Sequence, residues 1–176
     1  MSIALEIRGL CKRYVAGVHG CLAAANVLRG IDIVLREGDV HVIVGPAGSG
    51  KSTLMLCAAG LLTSDGGEVR WFGDVSRASG ARRALYHHAG VDLLRTGAIH
   101  ESHVHLLDVE SAGVATDVID AWIAERQDCG DAVLIASRDD AIATRIGARI
   151  STLRGGRLQS VVTAPLTARV AEAALG

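Results

Sequence analysis

The chain has 176 residues, the size of one domain with its own buried core. Apolar residues make up 49% and aromatic residues only 3%, so the core must be built mainly from aliphatic side chains. With 18 basic and 19 acidic residues the net charge is -1, and no long basic run is present, which argues against a nucleic-acid partner. No apolar run is long enough to span a membrane, and four scattered cysteines without a C-x-x-C pair favour reduced thiols in a cytoplasmic protein with no direct membrane insertion.

Hydrophobic patterns predict the elements of the first half in chain order. Alternating apolar residues predict strands at residues 3–7 and 31–35, which we expect to pair antiparallel. A third strand, residues 40–44, leads into a glycine-rich turn and then a helix over residues 51–62. After a Gly-Gly turn, residues 69–72 predict another short strand.

The second half alternates strands with helices. Between residues 76 and 102 the pattern is weak, and it predicts only a short helix over residues 81–88. Further on we expect, in order, a buried strand at 104–108, a one-sided helix at 114–126, a buried strand at 132–136, a short helix, a strand at 150–153, a turn into a last strand, and a terminal helix at 167–175. This order predicts an α/β fold: a mostly parallel sheet flanked by helices, with an N-terminal antiparallel β element, in a single domain spanning residues 1–176.

The turn after the third strand carries a phosphate-binding motif. Residues 45–52, GPAGSGKS, fit G-x-x-x-x-G-K-[ST] between a buried strand and a helix. Backbone N–H groups of such a loop converge on phosphate oxygens, the lysine reaches the outer phosphates and the serine can bind Mg²⁺. The alternative is a chance glycine-rich turn. The residues predicted to hold the nucleotide phosphates are Gly45, Pro46, Ala47, Gly48, Ser49, Gly50, Lys51, Ser52 and Thr53.

A carboxylate at the end of a neighbouring strand is the second requirement for Mg²⁺ binding. Asp108 ends the predicted strand at 104–108, so we expect Ser52 and Asp108 to be the metal ligands. The alternative for Asp108 is a helix N-cap or a turn aspartate.

Several motifs in order resemble the nucleotide-binding domain of an ATP-binding cassette (ABC) transporter. These are LEIRGL at residues 5–10, KRY at 12–14, VLRGI at 27–31, the phosphate loop and AGLL at 59–62. The resemblance implies a P-loop NTPase (RecA-like) fold that binds ATP with Mg²⁺. It also implies that Tyr14 stacks on adenine, against the alternative of an aromatic residue in the core. Partners implied by the resemblance are a transmembrane transporter subunit or a second ABC-type subunit, which would place the protein at the inner face of the membrane.

Other family motifs are missing from the sequence. No glutamine loop, helical subdomain or LSGGQ signature is found in residues 54–107, and the only glutamines are Gln127 and Gln159. The chain therefore resembles a truncated, degenerate cassette whose core domain lacks the helical subdomain.

The residues expected to cut the phosphate bond are also changed. Val109 stands where the family has the glutamate that positions the attacking water, and valine cannot polarise water. Glu110 is the nearest substitute, Ala115 replaces the usual aspartate, and Arg138 replaces the switch histidine. We list Glu110 and Arg138 as catalytic candidates and expect ATP hydrolysis to be weak or absent.

Two further functions and one further site remain as alternatives. A non-catalytic ATP-sensing or regulatory module would need no water-positioning glutamate. A P-loop small-molecule kinase is disfavoured, because more than forty residues precede the loop. The histidines at positions 87, 88, 100, 103 and 105 suggest a metal site, but without a fixed ligand spacing we interpret them as surface or hydrogen-bonded residues.

Overall fold

A computed structural model describes residues 2–18, 21–75, 83–88, 102–109 and 116–163. Residues 1, 19, 20, 76–82, 89–101, 110–115 and 164–176 lie outside this description, including the predicted terminal helix at 167–175. The described elements, in chain order, are β1 (Ile3–Val18), β2 (Cys21–Arg36), β3 (Val40–Val44), α1 (Lys51–Ala58), β4 (Gly66–Trp71), β5 (Ala84–His88), β6 (Val104–Asp108), α2 (Thr116–Asp128), β7 (Ala132–Ser137), α3 (Ala141–Ile146), β8 (Arg149–Arg154) and β9 (Arg157–Thr163).

The first two strands form an antiparallel sheet with β4, in the order β2-β1-β4. The predicted antiparallel element is therefore present, but both strands are much longer than the alternation suggested. Their pairing continues through several register shifts as far as Val18 opposite Cys21. Gly9 and Gly30 adopt positive φ angles of 57° and 71°, which interrupts the period-2 pattern that we used to place the strand ends.

The second sheet has six strands in the order β5-β6-β7-β3-β8-β9. All of its pairings are parallel except β8 with β9, which is antiparallel. Because the ends of parallel strands meet at one edge of a sheet, the residues that follow β3, β6 and β7 lie at a common edge. The register sets Val44 beside Ser137 and Asp108 beside Ala136, so β7 separates the strand before the phosphate loop from the strand that ends in Asp108.

Two apolar clusters cover the two faces of this sheet. The first joins α1 to the three-stranded sheet and to one face of the six-stranded sheet, with Leu54, Leu106 and Leu134 fully buried. The second packs α2 and α3 on the opposite face, around Leu107 and Trp122. Neighbouring residues of a strand point to opposite faces, so Leu106 and Leu107 enter different clusters. This confirms the predicted α/β fold with helices on both faces.

The helix predicted over residues 81–88 is wrong. Within it, residues 84–88 form β5, which pairs in parallel with β6 from Ala84 opposite Val104 to His88 opposite Asp108. Long-range backbone pairing overrides a weak local preference here, and both faces of the strand are partly covered, which removes the alternation of a half-buried strand. The helix after the phosphate loop also ends earlier than predicted, at Ala58, and Gly60 follows with a φ of 71°.

Candidate functional site

The phosphate loop lies between the end of β3 and the start of α1. The N–H of Gly45 donates to the carbonyl of Ser137 at 3.2 Å, which ties the start of the loop to the end of the adjacent strand β7. The helix begins with Leu54 N–H donating to the Gly50 carbonyl at 2.9 Å. The loop is thus fixed at both ends to the sheet and to the helix N-terminus, where the helix dipole favours an anion.

Three glycines of the loop have distinct reasons to be glycine. A Cβ on Gly45 would lie 2.5 Å from the Leu153 carbonyl oxygen, so no side chain fits there. Gly50 has a φ of 102°, and its Cβ would lie 3.0 Å from the Val27 carbonyl oxygen. Gly48 also has a positive φ, 75°, but its Cβ would meet no atom within 4 Å. Gly48 therefore faces open space in which a ligand atom can approach the backbone.

Donors converge at this loop. Among the described residues, no intrachain hydrogen bond uses the backbone N–H groups of Ala47, Gly48 or Gly50. Lys51 is 1% exposed, and its Nζ donates to the carbonyl oxygens of Gly45 at 2.7 Å and Pro46 at 2.9 Å. Free N–H groups around a buried ammonium form an anion site, and this donor set fits a nucleotide phosphate.

Asp108 lies at the carboxyl end of β6, at the same edge of the sheet as the loop. It is 3% exposed, and its Oδ2 accepts a hydrogen bond from the Tyr86 hydroxyl at 3.4 Å. Asp108 is the last residue of β6. A buried carboxylate at this edge, with the Ser52 hydroxyl at the start of α1, supplies oxygen ligands of the kind that Mg²⁺ prefers.

The residues expected to act on the attacking water are less well placed. Val109 packs its half-buried side chain against the apolar cluster beneath α2, and its N–H donates to the Ala136 carbonyl at 2.9 Å. Arg138 follows β7 directly and is exposed at the edge shared with the loop and Asp108. Glu110 and Ala115 lie outside the described residues.

Tyr14 is not a core residue. It is 43% exposed, and its hydroxyl lies 3.5 Å from Oγ1 of Thr53 in the first turn of α1. This excludes the alternative of a buried strand aromatic and places the ring beside the helix that follows the phosphate loop. Its stacking on adenine stays a prediction.

Sequence reasoning missed two residues near this site. Tyr86 lies in the segment predicted as a helix, so its contact with the predicted metal ligand Asp108 was not foreseen. No role was predicted for Asp65, although its carboxylate binds Lys12 and the backbone N–H of Arg13 in the structure. The one available signal was an aspartate directly before the Gly-Gly turn, a position where side chains often bind backbone.

The buried histidines form a hydrogen-bonded chain on the sheet face opposite α1. His105 Nε2 lies 3.1 Å from an oxygen of Asp131, and His105 Nδ1 lies 3.0 Å from His87 Nε2. Because the carboxylate only accepts, His105 donates from Nε2 and accepts at Nδ1 from His87. Burial lowers the pKa of His105 to about 4, although the nearby Asp131 opposes this shift.

No group of three or more potential ligands in the part of the chain that the structure describes is arranged to hold a metal ion. His87 and His105 are buried and hydrogen-bonded rather than at the surface, while His100 lies outside the described residues. Among the helices that the structure describes, none is long and apolar enough to cross a membrane.

Comparison with known proteins identifies relatives over most of the chain. A model of the ABC transporter family matches residues 28–173. A lipoprotein-releasing system ATP-binding protein, LolD, from a Ruegeria species is 34% identical over 164 residues, covering 91% of this chain and 67% of that protein. The LolD of Roseobacter denitrificans is 36% identical over 165 residues, covering 89% of this chain and 66% of that protein. The chain thus spans 66–67% of the length of these two relatives.

Solved structures with the same fold are ATP-binding cassettes. One is a dimeric cassette in a post-hydrolysis state bound to ADP and Pi, with a TM-score of 0.68 and 16% identity, covering 92% of this chain and 99% of that one. Another is a nucleotide-free cassette from an ABC transporter, with a TM-score of 0.67 and 15% identity, covering 93% and 92%. At such identities the likeness shows the fold alone, and it confirms the predicted P-loop NTPase class.

Proposed function

The chain belongs to the ABC transporter family, and we propose that it is an ATP-binding subunit that holds Mg-ATP in its phosphate loop and hydrolyses it slowly or not at all. The observation that carries the first part is the donor set of residues 45–52. The N–H groups of Ala47, Gly48 and Gly50, which have no partner among the described residues, lie there with a buried ammonium and a helix N-terminus, and a side chain would not fit at Gly45.

Each residue of the site has a defined task in binding. The loop N–H groups hold the β- and γ-phosphates, and Lys51 moves its hydrogen bonds from loop carbonyls to phosphate oxygens. Ser52 and Asp108 would hold Mg²⁺, which would supply positive charge beside the phosphates. Tyr14 offers its exposed ring to adenine.

Weak hydrolysis is supported by the surroundings of Val109. In this family the corresponding glutamate positions the attacking water, whereas Val109 is turned toward an apolar cluster. A side chain that packs in the core neither orients nor deprotonates water. Arg138 can contact the γ-phosphate as a cation, but it cannot accept a proton as a neutral histidine does.

Partners of the chain are part of the proposal. The relatives belong to lipoprotein-releasing systems, and from them we infer a cytoplasmic subunit that acts with a transmembrane subunit at the inner face of the membrane. A second ABC-type subunit would have to supply the signature motif that this sequence lacks. The cargo and the direction of transport do not follow from the site.

A non-catalytic ATP-sensing or regulatory module is the second candidate, and the packing of Val109 favours it. The two candidates share the nucleotide site and differ only in turnover. The test is therefore to measure nucleotide binding and phosphate release on one preparation of purified protein. Binding of Mg-ADP and Mg-ATP with slow phosphate release supports the first function and excludes the second, whereas binding without any release fits both and favours the second. No binding of either nucleotide contradicts both.

A further inference from the structure

We propose that Asp65 is a positioning residue for base recognition, which anchors β1 to the loop after α1 and so fixes the ring of Tyr14 beside the phosphate-loop helix. The inference rests on the proposed nucleotide site and adds to it a link between Tyr14, on which the base would stack, and the phosphate loop. Neither the family motifs nor the composition points to Asp65.

The case begins with three contacts that Asp65 makes to successive residues of β1. Its N–H donates to the Cys11 carbonyl at 2.9 Å. Its Oδ2 accepts from the backbone N–H of Arg13 at 2.7 Å and from Lys12 Nζ at 3.3 Å. The hydrogen bond from Arg13 is the largest cause of the lowered pKa of Asp65, so the carboxylate is ionised when it makes these contacts.

Sheet pairing explains why this anchor matters. The pairing of β1 with β4 ends at Cys11 opposite Gly66, while the pairing of β1 with β2 continues through Tyr14 opposite Ala25. Beyond Cys11, β1 is therefore part of a two-stranded ribbon, and such ribbons are marginally stable alone. Asp65 directly precedes β4, and its side chain binds the start of this ribbon, just beyond the last residue pair of β1 and β4.

The same contacts set the environment of the Tyr14 ring. Lys12 Nζ lies 5.6 Å from the ring centroid, within the range of a cation–π contact, and Asp65 holds that ammonium in place. The Tyr14 hydroxyl lies 3.5 Å from Thr53 Oγ1 in α1. The ring is thus located between a fixed cation and the phosphate-loop helix, and it remains 43% exposed for a base to stack on.

A ring that is fixed in advance gives up less conformational freedom when a base stacks on it. Removal of Asp65 should therefore weaken ligands that carry a base and leave ligands without a base unaffected. A general loss of stability would weaken both kinds of ligand alike. This difference separates positioning of Tyr14 from a purely structural role.

The test compares Asp65→Ala with wild type by calorimetric titration of Mg-ADP and of Mg-pyrophosphate. We expect the Kd of ADP to rise about tenfold and that of pyrophosphate to change less than about twofold. Asp32→Ala is the matched control, because Oδ1 of Asp32 also accepts a β1 backbone N–H, from Gly9 at 2.7 Å, but farther from Tyr14. The control should leave both affinities unchanged.

The outcomes are distinct. Equal weakening of ADP and pyrophosphate by Asp65→Ala, no weakening of ADP, or the same selective loss in Asp32→Ala would each overturn the inference while leaving the nucleotide site intact. A wild-type chain that binds neither ligand overturns the proposed function together with it. If Asp65→Ala does not fold, Asp65→Asn decides: it keeps an acceptor for Arg13 but loses the ion pair with Lys12, and we expect a selective loss of about threefold.

Discussion

The Tyr86 hydroxyl donates a hydrogen bond to Oδ2 of Asp108 across the pair β5 and β6, with 3.4 Å between the two oxygens. Tyr86 is paired with Leu106, two residues before Asp108, so both side chains belong to the sheet face covered by α1. If Asp108 holds Mg²⁺ as proposed, this hydrogen bond would help to fix the orientation of its carboxylate toward the ion.

Tyr86→Phe keeps the ring and deletes this donor, so it should weaken Mg²⁺ binding. We expect about a tenfold higher Mg²⁺ concentration for half-saturation of the ADP complex, the low end of the effect of losing a hydrogen bond to a metal ligand. Binding of ADP in excess chelator should not change. An unchanged Mg²⁺ titration would show that Tyr86 does not orient Asp108.

Lys51→Ala tests the phosphate site directly. At a hundredfold excess of Mg-ADP over its Kd, wild type should gain about 2.7 kcal/mol of stability, read as a rise in the melting temperature. The variant should lose most of that gain, because the charge that neutralises the phosphates is gone. Arg154→Ala, which removes an exposed cation at the end of β8, is the control and should behave as wild type. The phosphate-site assignment is wrong if both variants show the wild-type shift.

Tyr14→Ala tests whether adenine stacks on the ring of Tyr14. Loss of stacking should weaken Mg-ADP by about 1–3 kcal/mol and hardly affect Mg-pyrophosphate, because pyrophosphate carries no base. Tyr14→Phe, which retains the ring and loses only the weak contact with Thr53, should stay close to wild type in calorimetric titration. If Tyr14→Ala binds ADP as well as wild type does, Tyr14 is not part of the site.

Mild acid should destabilise the fold through two buried histidines. Burial, with help from the charge of Arg149, lowers the pKa of His41 to about 3, and burial lowers that of His105 to about 4. Well above pH 6.5 neither histidine is charged in the folded or the unfolded state. Below about pH 6.5 both histidines become protonated in the unfolded chain but stay neutral in the folded chain. The free energy of unfolding therefore decreases as the pH is lowered, down to about pH 4 for His105 and about pH 3 for His41.

Between pH 6.5 and pH 5 this linkage amounts to about 2 kcal/mol for each histidine. Urea unfolding at the two pH values measures it, in a range where most carboxylates stay ionised in both states. His41→Gln should reduce the pH dependence by roughly half, even though it also loses the contact with Ser151 at 2.8 Å. Equal unfolding free energies of wild type at both pH values would contradict the lowered pKa values.

The sequence predicted the elements whose local pattern is strong. The hydrophobic pattern correctly predicted the strand, loop and helix around Lys51. It also predicted the buried strands that end at Asp108 and Ser137. The weak pattern at β5 predicted a helix instead of a strand, because both faces of this strand are partly covered and its pairing partner β6 is distant in sequence.

The site residues, too, divide into those that a local pattern predicts and those that it does not. The phosphate loop was predictable because its chemistry depends on consecutive residues. The contact of Asp65 with Arg13 joins residues 52 positions apart, and that of Tyr86 with Asp108 joins residues 22 apart. No short-range pattern encodes such pairs, so only the folded chain reveals them.

The final prediction is that restoring two catalytic residues does not restore normal turnover. Val109→Glu returns a carboxylate for the attacking water, and Arg138→His returns a neutral contact for the γ-phosphate, each of a kind worth orders of magnitude in a complete site. Val109, however, packs against the cluster beneath α2, so the new glutamate must leave an apolar environment to reach the nucleotide. The sequence also has no signature motif to close over the γ-phosphate.

Without that closure the site stays wet, and both positioning and charge stabilisation are weak. Phosphate release by the double variant should therefore remain far below the typical enzyme rate of about 10 per second. Val109→Gln with Arg138→His is the control, since it carries similar bulk and polarity without a base, and a melting curve of each variant shows that it folds. A double variant that turns over ATP near that rate, as a pure homo-oligomer, would show that the point changes rather than the missing motif limit hydrolysis.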